Sequence, residues 1–152
     1  LKSNNMTKDA ITSPDAPAAL GPYSQAIRAG YTLYLSGQLG LDPKTGNLVE
    51  GVEAQAHQVF RNLRAVARAA GGDLDDIVKL SILMQDLADF AKVNAIMAGY
   101  FKEPYPARAT YQVAALPKAA LIEIEGIAVL QPSGAADPQT GWREAFDQTK
   151  GQ

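Results

Sequence analysis

Within "VEAQAHQVFRNLRAVARAAGGDLDDIVKLSILMQD", residues 52–86, the hydrophobic period changes part-way, and that change decides the fold. Val52, Ala56, Val59, Phe60, Leu63, Val66, Ala67 and Ala70 recur at three- and four-residue steps, which gathers them on one face of a helix. Gly71-Gly72 then supplies a stop, because glycine enters the left-handed conformation that closes a helix at little cost. Beyond it the repeat falls to two, and Val78, Leu80, Ile82 and Met84 are expected on one side of a strand.

Working outward, "LADFAKVNAIMAGYF" (87–101) predicts a second helix whose face is Leu87, Phe90, Val93, Met97, Tyr100 and Phe101, stopped by "EPYPA". "YSQAIRAG" (23–30) and "YTLYLSGQL" (31–39) read as two strands linked at Gly30, and "LDPKTGNLVEG" (41–51) carries turn chemistry. "YPARATYQVAAL" (105–116) and "ALIEIEGIAVL" (120–130) hold the last two strands. The order β-β-(β)-α-β-α-β-β predicts an α+β domain: one mixed sheet with both helices packed on one face, since right-handed crossovers put them there. Leu121, Ile127 and Val129 on the uncovered face then predict self-association. Met6 to Gly21 is expected to be irregular, and the "LKSNN" ahead of Met6 reads as a leftover from expression. The boundaries predicted are an arm over 1–15, one domain over 16–130, and a polar tail over 131–152. In that tail Trp142 and Phe146 lie four apart.

The chain of 152 residues has no cysteine and a single histidine, His57, which excludes thiolate chemistry, disulfides and two-histidine zinc sites. A net charge of −2 without a basic block gives no electrostatic ground for a nucleic-acid partner. No apolar run reaches the ~20 residues that a spanning helix needs, and no signal peptide is visible, so a cytoplasmic location is expected. His57 reads as a surface residue.

Two charged types sit in the most apolar strands, where they are seldom found without partners. By strand parity Arg108, Thr110, Gln112 and Ala114 share one face, while Leu121, Glu123, Glu125 and Ile127 share another that points away from the helices. A simple hairpin around Pro117–Ala120 would leave Arg108 and Glu123 roughly 20 Å apart, at ~3.3 Å per residue. Either the last two strands are not neighbours, or the charges converge across a subunit boundary. An arginine fork suits a carboxylate, and a shielded glutamate suits a water or a proton. The pair therefore describes either a site where water attacks beside a carboxylate, or a salt bridge between subunits.

"APAALGPYSQAI", "LYLSGQLGLDPKTG", "EAQAHQVFRNLRAVARAAG", "DIVKLSILMQDLADFAKVN" and "YPARATYQVAALPKAALIEIEGIAV" together resemble the RidA family, also called YjgF or L-PSP endoribonuclease, from about residue 16 to residue 129. The resemblance implies a chorismate-mutase-like fold assembled as a homotrimer, with a central β-barrel and pockets between subunits. It implies hydrolysis of 2-imino or enamine acids to 2-oxo acids and ammonia, with no cofactor and no metal. By position, Arg108 would bind the substrate carboxylate and Glu123 would place the water. Tyr23 and Ser36 would line the pocket, backbone near Ser36, Gly37 and Thr110 would hold the imine end, and Asn94 would stand near the rim. Thr110 departs from a frequent family cysteine. The rival functions are a non-catalytic regulator that binds small 2-oxo acids, and an endoribonuclease.

Overall fold

The computed structural model describes residues 7–132, so the Trp142–Phe146 pair and residues 1–6 lie outside the described residues. Six strands form one sheet: β1 (Lys8–Ile11), β2 (Ala26–Ala29), β3 (Thr32–Leu39), β4 (Ile77–Met84), β5 (Ala107–Gln112) and β6 (Ile122–Val129). Their order is β1-β2-β3-β6-β4-β5. The β4–β5 pair is parallel and every other neighbouring pair is antiparallel. Helices α1 (Val52–Ala69) and α2 (Phe90–Tyr100) make the two crossovers. One mixed sheet with two helices is the architecture that the change of period predicts.

The core lies between the helices and one face of the sheet. Val59, Phe60, Leu63 and Val66 of α1, with Val93 and Met97 of α2, meet Leu33, Leu35, Leu80, Ile82, Met84, Ile122 and Ile124, all of them buried. Fully burying such side chains stabilises by about 1.5–3 kcal/mol each. Three glycine positions matter to this packing or to its turns. Gly71 takes φ 85 and closes α1. Gly40 and Gly126 allow close approach: a Cβ on Gly40 would lie 2.7 Å from Cα of Gln55, and one on Gly126 would lie 3.1 Å from Leu80. Among the described residues no layer covers the opposite face, and Tyr34, Tyr111 and Val129 stand exposed there.

Several expectations need correction. The arm is not wholly irregular, because Lys8–Ile11 adds an edge strand to β2 in register from Lys8↔Ala29 to Ile11↔Ala26. The parenthesised third strand of the predicted order is reduced to a single bridge between Leu41 and Leu48, ahead of α1. Val78 does not join Leu80, Ile82 and Met84: the β4–β6 register shifts between Ile77 and Lys79, so Ile77 turns inward and Val78 is 47% exposed. This is a bulge, which a strict two-residue repeat cannot anticipate. Leu87 belongs to a 3₁₀ turn before α2 and is exposed rather than part of its packed face. His57 is not a free surface residue, for its Nδ1 lies 2.8 Å from the Tyr100 hydroxyl and links α1 to α2.

Candidate functional site

The sheet order decides where the charged residues go. Strand β4 lies between β5 and β6, so the hairpin is ruled out, and the alternative of non-adjacent strands holds within the chain. Arg108 pairs with Leu80, and Leu80 pairs with Gly126. Paired residues on neighbouring strands point to the same side, so Arg108 shares the helix-covered face with Leu80. Glu123 pairs with Leu39 and Leu83, one residue out of phase with that set, and faces the other way. One chain therefore carries the proposed partners on opposite faces of its own sheet.

On the uncovered side, a cavity of about 560 Å³ gathers Tyr23, Ser36, Gly37, Glu123 and Glu125, walled by Pro17, Leu20 and Lys118 among others. The bulge in β3 makes it. Register jumps from Leu35↔Gly126 to Gln38↔Ile124, so Ser36 and Gly37 together oppose Glu125 alone. Such an insertion bends the strand and re-aims its side chains. Ser36 is fixed by both ends: its N–H donates to the Gln25 carbonyl at 3.0 Å and its Oγ donates to the Ser24 carbonyl at 2.5 Å. Gly37 is the seat of Glu123, because a Cβ there would meet the Glu123 side chain, with Cδ at 3.0 Å and Oε1 nearer still. Partial burial raises the Glu123 carboxyl above its ordinary value, and the neighbouring Glu125 carboxylate raises it further.

On the helix side, Arg108 lies at the edge strand with its Nη1 donating to Asn94 Oδ1 at 2.6 Å and to Met97 Sδ at 3.4 Å. Its guanidinium carbon stands 5.2 Å from the centroid of the Phe90 ring. These contacts hold the group while most of its five donors stay open for a ligand. Cavities of about 330 and 450 Å³ flank it, the second lined by Leu87, Phe90, Arg108 and Thr110. Thr110 Oγ1 is buried without a hydrogen-bond partner among the described residues. The candidate residues thus fall into two groups on opposite faces: Tyr23, Ser36, Gly37 and Glu123 in one, Asn94, Arg108 and Thr110 in the other.

The family model for endoribonuclease L-PSP matches residues 13–130. The chain is 52% identical over 131 residues to the chloroplastic Reactive Intermediate Deaminase A of Arabidopsis thaliana, covering 86% of this chain and 70% of that protein. The chain belongs to the RidA family. A second relative, the 2-iminobutanoate/2-iminopropanoate deaminase of Mus musculus, is 48% identical over 130 residues, covering 85% of this chain and 96% of its own length. The crystal structure of RidA from the Antarctic bacterium Psychrobacter sp. PAMC 21119 matches with a TM-score of 0.79 at 52% identity, covering 80% of this chain and 99% of that one.

What sequence reasoning missed in this RidA-family chain are the amides that hold the larger cavity's walls. Gln25 is 4% exposed; its Oε1 accepts from Ser13 N–H at 2.6 Å, and its Nε2 donates to the carbonyls of Ser13, Ala16 and Pro17. It straps the arm beside Tyr23. Gln55 donates to Val49 O and accepts from Leu121 N–H, and Asn62 donates to the carbonyls of Leu39 and Leu41. The available signal was polar residues at apolar helix positions: Gln55 and Asn62 sit among the buried residues of α1. Lys118 and Ala119 were missed as well. Both take positive φ, 56 and 54, at a cost of about 1–2 kcal/mol each, beside the same cavity.

Proposed function

We propose that copies of this chain assemble as a homotrimer around a central barrel, and that the two groups are half-sites that meet between neighbouring copies. There they hydrolyse 2-imino acids, and the enamines in equilibrium with them, to 2-oxo acids and ammonia. The observation that carries this reading is the placement of Arg108 and Glu123 on opposite faces of one sheet, each beside its own open cavity. Neither half is a site alone, and the exposed Tyr34, Tyr111 and Val129 give the uncovered face a reason to be buried by another copy. The names of the relatives supply the reaction.

The chemistry asks little of the protein. In the protonated imine the carbon is already electrophilic. Arg108 grips the substrate carboxylate with its open donors. Glu123 orients a water and accepts one of its protons as the C–O bond forms and the C=N π electrons withdraw to nitrogen. The carbinolamine then takes that proton back on nitrogen; the C–N bond breaks, ammonia departs, and the hydroxyl proton is lost as the 2-oxo acid forms. A carboxyl raised above its ordinary value by burial is suited to both accepting and returning a proton. Ser36, Gly37 and Thr110 offer backbone groups to the imine end. A chain of net charge −2 without a basic block offers no surface for a polyanionic backbone, which weighs against the ribonuclease reading.

The test is a coupled assay in which an amino-acid oxidase generates 2-iminobutanoate and keto-acid formation is followed. The chain should accelerate the hydrolysis, and Arg108→Ala should abolish the acceleration in a protein that stays folded and assembled. Wild-type rates in that variant would overturn the assignment, and 2-oxobutyrate binding without turnover would favour the regulator instead.

A further inference from the structure

The short turn from Leu116 to Ala120 closes one side of the larger cavity, and its backbone carries an unexplained cost. Lys118 adopts φ 56 and ψ 24, and Ala119 adopts φ 54, a region that favours glycine. A glycine at 118 would take this shape freely, so the lysine side chain stands there at a cost to the backbone. Lys118 Nζ donates to the carbonyl of Gly46 at 3.5 Å, across to the turn that follows Asp42. The bond is long and exposed, which leaves the ammonium available to other acceptors.

The charges lining this cavity make the position matter. Among the described residues its titratable lining is Tyr23, Lys118, Glu123 and Glu125, which sets one cation, Lys118, beside two carboxylates. Glu123 and Glu125 alone would repel an anion. A 2-imino acid enters carrying a carboxylate, and Arg108 reaches it only from the other half-site. Charged walls of one sign steer ligands strongly at low ionic strength.

We propose that Lys118 is a substrate-binding residue: its ammonium, held by the strained turn on the cavity wall, draws small carboxylates past Glu123 and Glu125. The identity of the ligand rests on the deaminase reading, whereas the need for a cation follows from the two carboxylates in the cavity wall. The test compares Lys118→Gly, which suits the left-handed backbone, Lys118→Met, which keeps length without charge, and Lys118→Arg, which keeps charge. Calorimetry with 2-oxobutyrate, a stable carboxylate, is run at about 20 mM and about 500 mM salt, beside kcat/KM for the imine. The glycine and methionine variants should bind roughly three- to tenfold more weakly at low salt, with the gap closing at high salt and arginine near wild type. Unchanged affinity in the neutral variants overturns the proposal, and so does a loss that is the same at both salts, since that would mark a purely structural latch. If the wild type binds 2-oxobutyrate without turning over imine, the deaminase reading fails while the salt-dependent loss still decides the role of Lys118.

Discussion

Replacing Gly37 by alanine adds one methyl group beneath the proposed catalytic carboxylate. The new Cβ would lie 3.0 Å from Cδ and 3.2 Å from Cγ of Glu123, with Oε1 closer than either. Non-bonded contacts become favourable only at about 3.5–4.0 Å, so the carboxylate must shift by about 1 Å. Gly37 is not among the glycines with positive φ, so alanine brings no backbone strain. The cost falls on the position of Glu123. Misplacement of a reacting group by ~1 Å lowers rates by roughly 10²-fold, about 2.7 kcal/mol in the barrier. Gly37→Ala should therefore unfold in urea within about 0.5 kcal/mol of wild type while losing roughly 10²-fold in kcat/KM. The decisive comparison is a cycle with Glu123→Ala. If Gly37 acts only by seating Glu123, the double variant should be no slower than Glu123→Ala alone. Full activity in Gly37→Ala, or a double variant whose losses multiply, would refute the reasoning.

Two further outcomes are expected. Gln25→Leu strips the partner from the buried Ser13 N–H and from three carbonyls of the arm, and should cost about 1–3 kcal/mol in urea unfolding while loosening the wall beside Tyr23; an unchanged midpoint would show that the strap is dispensable. Glu123 binds its proton more tightly folded than unfolded, so its contribution to stability falls as pH rises from the ordinary value of 4.5 through the raised folded one. Glu123→Gln should accordingly gain in melting temperature relative to wild type at about pH 7 and lose that advantage by about pH 4; a difference that does not vary with pH would contradict the burial of the carboxyl.

The sequence made the framework legible wherever one hydrophobic period ran unbroken, as in Val59, Phe60, Leu63 and Val66 of α1 or Leu80, Ile82 and Met84 of β4. It failed where the backbone departs from its period. The bulge that turns Val78 outward, and the one that sets Ser36 and Gly37 against Glu125, each insert a residue that leaves no mark in a two-residue repeat. Strand parity separated the glutamates from the core correctly, since Glu123 is out of phase with the buried Ile122 and Ile124. It could not reveal that Arg108 lies on the other face, because that follows from β4 being inserted between β5 and β6. Strand order depends on non-local pairing. The amides Gln25, Gln55 and Asn62 were overlooked for a related reason: their partners are loop carbonyls and N–H groups up to 66 residues away, as for Gln55 and Leu121.

Mixed assemblies test the shared site most directly. Arg108→Ala and Glu123→Ala should each be inactive alone, since every site then lacks either its guanidinium or its carboxylate. Unfolded together and refolded in equal amounts, they should regain about a quarter of wild-type activity, because a random neighbour pair supplies both intact groups at about one boundary in four. No recovery in assemblies shown to contain both chains would mean that a single copy must carry both groups at one site, and would contradict the account.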